Sequence, residues 1–370
     1  MIRLGTVFSG IGAPEFALKR LGIEFKTVLA CDNGEIVLKD IDLKKEIRKV
    51  KSFQTFWGEK RYVDNLYKTH SNKHNFVKDS YLANYGKDLE KVFFQDVVLL
   101  NGVPLKNKID LFVGGSPCQS FSSVGYQKGF KDYRGVLFFE FIRLVEEIEP
   151  RVFIYENVNG LKGNKNKETW QKMQKFFQKL NYRLWTNTLN AKDYGIPQVR
   201  NRIFVIGFKN EEDFSRFREP KKVDHKLTMQ DFLIDSTEFG GLTYDDSGDL
   251  VFSKQPGVIS QDYFLSPAVE RYVRCPGTKN WKTRIEYDRP VARTLLSTMG
   301  NHHRAGVDNY ITYGQRIRSL TEREALRLMG FTDDFKIVVS KAQMYKQAGN
   351  SMVVDVMMAL LKAILQAIKE

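Results

Sequence analysis

Residues Ile109-Asp110-Leu111-Phe112-Val113 form a short apolar run that stops at Gly114-Gly115-Ser116-Pro117-Cys118-Gln119-Ser120-Phe121-Ser122. This junction constrains the fold more than any other stretch. Proline fixes its own φ and pushes the preceding Ser116 towards an extended conformation, so the chain leaves a strand and presents Cys118 at a stiff corner. The paired glycines permit tight turning and close approach of another molecule. A polar loop at the carboxyl end of a strand is where an open α/β sheet keeps its chemistry, and an ionised cysteine is a strong nucleophile. A lone Pro-Cys reads more readily as a buried cysteine before a turn. The rest of the chain decides between the two.

That remainder alternates strands with helices, the pattern of an α/β chain with a mainly parallel sheet flanked by helices. Strands are predicted at residues 4–8, 25–31, 92–94, 109–113, 152–155, 183–189 and 202–208, and helices at 14–21, 136–148, 167–180 and 353–368. The first strand ends in Phe8-Ser9-Gly10-Ile11-Gly12, and Asp32 follows the second. A glycine turn lets backbone approach a ligand, and an acid ending the next strand can bind ribose hydroxyls. No Gly-x-Gly-x-x-Gly pattern is present, which weighs against a dinucleotide.

At 370 residues the chain can form one large core and a second, smaller domain. No apolar run is expected to reach the ~20 residues that cross a bilayer. The start, Met1-Ile2-Arg3-Leu4-Gly5, enters a strand without a signal-peptide design, so a cytoplasmic, membrane-free protein is expected. Cys31, Cys118 and Cys275 are too scattered for a disulfide framework or a zinc cluster. The net charge of +14 invites a nucleic-acid partner, but its distribution says more. Residues 209–288 carry 12 Lys and Arg against 15 Asp and Glu, leaving 46 against 29 elsewhere. Phosphate contacts supply salt-dependent affinity while fewer, chosen groups read base edges, so an acidic-leaning segment is able to specify sequence. Residues 38–80 mix Lys44, Lys45, Arg48, Lys49 and Lys51 with Phe53, Phe56, Trp57, Tyr62 and Tyr67. That composition suits phosphate and stacking contacts, or an amphipathic helical insert.

Further motifs follow in order: Glu156-Asn157-Val158 after an apolar run, Gln198-Val199-Arg200-Asn201-Arg202 running into Ile203-Phe204-Val205-Ile206-Gly207, and Gln347-Ala348-Gly349-Asn350-Ser351 near the end. With the glycine turn and the Pro-Cys corner, the chain resembles the DNA cytosine-C5 methyltransferase family of prokaryotic or phage type. The likeness runs from Leu4 to about Ile364 and fails over roughly 38–80 and 209–288. It implies an S-adenosylmethionine-dependent methyltransferase fold, Rossmann-like, with an inserted target-recognition domain. The expected division is 1–225 with 319–370 for catalysis, 226–318 for recognition, and 38–80 as an insert. The resemblance assigns catalysis to Cys118, Glu156, Arg200 and Arg202. Cofactor binding falls to Phe8, Ser9, Gly10, Ile11, Gly12, Asp32, Asp96, Val97, Pro117, Leu137, Asn350, Ser351 and Met352, with Phe8 packing on the adenine and Asp96 bonding its amino group. Base and DNA contacts fall to Gln119, Ser122, Ser123, Arg202 and Arg293. The family often has an aromatic residue directly after the ribose acid, where this chain has Asn33.

The chemistry expected of these residues follows from cytosine. C5 is a poor nucleophile until a thiolate adds at C6, and Cys118 is placed to supply it. Glu156 would neutralise the ring at N3 by donating a proton. By resemblance, Arg202 sits near the base O2 and Arg200 bonds the Glu156 region. Neither carbon is reachable in a stacked duplex, so the base must be flipped out. A zinc deaminase also uses Pro-Cys, but needs Pro-Cys-x-x-Cys and His-x-Glu, and Phe121 stands at the second cysteine position. A relative acting on tRNA and a catalytically silent DNA-binding relative are the alternatives. The expected product of the cofactor is S-adenosylhomocysteine. The expected state is a monomer on duplex DNA, with a companion restriction endonuclease acting independently.

Overall fold

The computed structural model describes residues 1–117, 133–163, 166–235, 240–253, 257–275, 277–278, 281–282 and 285–368. At its centre lies a seven-stranded sheet of β1 (Ile2–Val7), β2 (Phe25–Cys31), β3 (Phe93–Phe94), β4 (Leu111–Gly114), β5 (Val152–Val158), β6 (Arg183–Asn190) and β7 (Asn201–Phe208). The spatial order is β3-β2-β1-β4-β5-β7-β6. Pairings are parallel except those of β7, which runs antiparallel to both β5 and β6.

Successive strand residues face opposite sides, so a strand covered on both faces must be apolar at nearly every position. In β5, Val152 and Ile154 enter one core while Phe153 and Tyr155 enter the other. In β7, Phe204, Ile206 and Phe208 alternate in the same way with Ile203 and Val205. The helices are α1 (Ala13–Arg20), α2 (Leu43–Lys51), α3 (Phe56–His70), α4 (Phe76–Tyr85), α5 (Tyr133–Ile148), α6 (Lys167–Lys179), α7 (Glu211–Arg216), α8 (Pro267–Arg274), α9 (Glu322–Arg327), α10 (Lys341–Asn350) and α11 (Val354–Ile368), and all but α8 lie against the sheet or its two cores. α1 and α11 pack in the first core, α5 and α6 in the second. Arg20 of α1, almost fully buried, donates to both oxygens of Asp355 in α11 at 2.9 and 3.1 Å. The C-terminal helix thus returns to the N-terminal sheet. The stretch Lys341–Ile368 is long and apolar enough to cross a membrane, contrary to the expectation that no run comes near this. Its apolarity instead serves the first core, and 61% of its most apolar window is buried.

Residues 38–80 take the helical reading. Asp42 caps α2 by accepting from the Lys44 and Lys45 N–H groups, and Thr55 caps α3 through Gly58 N–H. Leu43, Ile47, Val50, Val63 and Leu66 turn inward to the second core. Beyond β7, Met229, Phe232, Leu233 and Leu242 join the first core, whereas Leu265, Val273, Ala305, Tyr310 and Ile317 form a small core of their own.

Candidate active site

The cofactor-side residues collect at the carboxyl ends of β1, β2 and β3. Phe8 has φ 53°, followed by Gly10 at 53° and Gly12 at 75°. Left-handed backbone is free for glycine and strained for phenylalanine, so this turn is held by its surroundings. Ser9 is the fastening: its N–H donates to the Cys31 carbonyl at 3.1 Å, and Cys31 N–H donates to its Oγ at 2.9 Å. Ile11 is buried, and Gly12 lies so close to Tyr85 that a side chain there would enter the ring. Asp32 accepts from Gly10 N–H at 2.9 Å and from Gly34 N–H at 2.8 Å. Burial pushes its carboxyl up, and those two donors oppose the rise. Across the strand end, Asp96 is buried and accepts from Val98 N–H and the Tyr67 hydroxyl, each at 2.9 Å. Burial raises the Cys31 thiol, with Asp96 and Asp32 adding to the rise, so both acids surround one strand end. Val97 and Leu137 are buried nearby in the second core, and Phe8 packs half-buried against it. Pro117 is exposed. Two acceptor-only carboxylates beside an open glycine turn suit a ligand that offers hydroxyl and amino donors, as an adenosine does.

The corner after β4 is built by β5. Asn157, 3% exposed, donates through Nδ2 to the Ser116 carbonyl at 3.1 Å and to the Tyr155 hydroxyl at 2.8 Å. Ser116 Oγ and the Tyr155 hydroxyl share a hydrogen bond of 2.6 Å. Glu156 lies between these anchors. A Cβ on Gly115 would sit 2.9 Å from Glu156 Oε2 and 3.3 Å from Met352 Cε, so glycine here admits the carboxylate. Pairing of Val158 with Arg202 sets that arginine diagonally across from Glu156, and Arg202 Nε meets Glu156 Oε1 at 3.0 Å. Burial pushes the Glu156 carboxyl up while Arg202 and then Arg200 pull it back. A carboxyl under such opposing influences can share or donate a proton.

Arg200 does something other than the expected bonding to the Glu156 region. It is buried, and its guanidinium donates to the carbonyls of Leu295 (2.9 Å), Gly349 (2.9 Å) and Ser351 (2.8 Å). One rigid fork thereby ties three chain segments behind the corner. Gln198, fully buried, extends the tie by donating to Leu328 O and accepting from Leu295 N–H. Gly349 runs against the backbone of Leu296 and Ser297, where any side chain would collide. Ser351 is buried and donates to Met352 O, and Asn350 is exposed. Arg293 turns away to Glu286 at 3.0 Å, while its N–H donates to Asn309.

Glu156, Arg202 and Met352 are therefore brought together beside Gly115, and Asp32 and Asp96 converge beside the glycine turn. Cys118, Gln119, Ser122 and Ser123 lie outside the described residues. Sequence reasoning missed Asn157, Ser116, Gln198 and Tyr67, although the first three sit inside the quoted motifs. Tyr67 carried no signal, because its partner is 29 residues away. Among the described residues, no group of three His, Cys, Asp or Glu is arranged to hold a metal ion.

Comparison with known proteins agrees with this geometry. The family described as C-5 cytosine-specific DNA methylase matches residues 59–366. The chain is 35% identical to the Type II methyltransferase M.HhaI of Haemophilus parahaemolyticus over 76% of this chain and 82% of that protein. It is 31% identical to the Type II methyltransferase M.SsoII of Shigella sonnei over 79% and 72% of the two chains. The solved structure of the S. pombe Dnmt2 methyltransferase shares the fold with a TM-score of 0.67 at 18% identity, covering all of both chains. The chain belongs to the C-5 cytosine-specific DNA methylase family and is an enzyme of the DNA (cytosine-5-)-methyltransferase type.

Proposed function

We propose that this chain methylates C5 of one specific cytosine in duplex DNA, on a flipped-out base held covalently by Cys118. The observation that carries the proposal is the Glu156–Arg202 pair, set under Gly115 beside the Asn157–Ser116 anchor that leads into Cys118. Cys118 Sγ bonds to C6, and the electron pair of the C5–C6 double bond moves to C5. Glu156 supplies a proton at N3, which offsets the negative charge placed in the ring. Arg202 orients Glu156 and faces the base O2. The glycine turn, Asp32, Asp96 and the 350–352 segment would hold S-adenosylmethionine. When bound, it supplies an electrophilic methyl group. After methylation the C5 proton leaves to a weak base, the C6–S bond breaks, the N3 proton returns to Glu156, and the thiolate is restored.

Residues 226–318 are assigned to target recognition and the remainder to catalysis, with the chain acting as a monomer and any companion endonuclease acting on its own. The Type II relatives favour DNA over tRNA as the substrate. A duplex carrying 5-fluorocytosine at the target cannot lose its C5 substituent, so the thioether should persist with cofactor present. Cys118→Ser should abolish the denaturation-resistant complex, and Cys275→Ser should leave it intact. A complex that survives Cys118→Ser, or one that forms on tRNA and not on DNA, would overturn the proposal.

A further inference from the structure

Helix α3 has no place in the catalytic corner or the recognition segment, yet its polar side reaches the cofactor end of the sheet. Asp64 and Tyr67 lie about one turn apart on α3 and meet the two residues that follow β3. Gln95 Nε2 donates to Asp64 Oδ1 at 3.1 Å, and the Tyr67 hydroxyl donates to Asp96 Oδ2 at 2.9 Å. Tyr67 and Asp96 are 5% and 3% exposed, so this contact is made away from water. Val63 and Leu66 anchor the helix in the second core. Where the insert ends, Asn75 donates through Nδ2 to the Asp32 carbonyl at 2.9 Å and caps α4 through its Oδ1. The insert thus touches both acids at which the ligand is expected.

We propose that the insert braces the cofactor site, and that Tyr67 is a positioning residue whose hydroxyl fixes the Asp96 carboxylate for the 6-amino group of an adenine. The terminal torsion of an aspartate is broad, so a carboxylate held at one point can swivel. Here Val98 N–H holds Oδ1 and Tyr67 holds Oδ2, which sets the plane of the group. Each oxygen can accept a second hydrogen bond, so an amino donor can still be received. The inference rests on the reading of Asp96 as the adenine acceptor.

The test is calorimetric titration with S-adenosylhomocysteine and with its analogue bearing hydrogen in place of the 6-amino group. The wild-type chain should prefer the amino compound by about tenfold, the size of one buried hydrogen bond to a charged group. Tyr67→Phe keeps the ring and its packing, and should bring the two ligands within about twofold of each other. Tyr62→Phe, on the same helix but bonded to Glu46, should leave the preference unchanged. Asp64→Ala loosens α3 without touching Tyr67 and should lower the preference by less. A preference that survives Tyr67→Phe overturns the positioning role alone. A wild-type chain without any preference overturns the placement of adenine at Asp96, and the inference with it.

Discussion

Replacing Asn157 by alanine removes a side chain that does no chemistry and should nevertheless cripple the enzyme. Three hydrogen bonds are lost: to the Ser116 carbonyl at 3.1 Å, to the Tyr155 hydroxyl at 2.8 Å, and from Val158 N–H at 2.8 Å. Tyr155 keeps its bond to Ser116 Oγ, but the Ser116 carbonyl loses this donor in a buried setting. At about 1 kcal/mol for each of the three bonds, with a further 1–3 kcal/mol for a stranded acceptor, the loss is about 4–6 kcal/mol of stability. The larger consequence is positional. Ser116 and Pro117 aim the chain into Cys118, and a displacement of about 1 Å at a reacting atom costs about 100-fold in rate. Methyl transfer at saturating cofactor should therefore fall by about that factor, while the affinity for S-adenosylhomocysteine stays within about twofold. Urea denaturation, initial rates and calorimetry separate the three quantities. A variant that loses stability but keeps its turnover would refute the view that Asn157 holds the corner.

Glu59 is fully buried, and burial pushes its carboxyl from 4.5 to about 8. Because the folded chain holds that proton more tightly than the unfolded one, stability should decline as pH rises from about 4.5 through about 8, by about 3–5 kcal/mol in all. Glu59→Gln should flatten the decline, and denaturation curves at about pH 5 and about pH 9 that change equally in both proteins would contradict this. Asp32→Asn should weaken S-adenosylhomocysteine binding by at least about tenfold and leave DNA affinity nearly unchanged, and unaltered calorimetry would move the ribose elsewhere. Exchanging residues 226–317 for those of a relative should change which cytosine is methylated, as read by methylcytosine sequencing of DNA from expressing cells. An unchanged target would place recognition outside that segment.

The centre of the sheet was legible in the chain because β4, β5 and β7 are covered on both faces and therefore read as nearly unbroken apolar runs. All seven predicted strands appear within a few residues of their expected ends, and so do the four predicted helices. The site motifs were legible for a related reason: Gly115, Glu156 and Arg202 sit at strand ends, where backbone register alone brings them together. The insert's helices were left undecided because its mixture of lysines and aromatic residues serves either a helix face or a phosphate surface. Burial of Val63 and Leu66 against the second core settled the matter. The tasks of Arg200, Asn157 and Tyr67 were hidden because their partners are backbone carbonyls or side chains far away in sequence. Arg200 stands 95 and 149 residues from two of the carbonyls it holds, and no local pattern encodes such a distance. Local sequence determines which segments become strands and which residues cap or turn them, because those preferences act within a few residues. Which buried donor meets which acceptor depends on closure of the whole chain, and only the tertiary structure decides it.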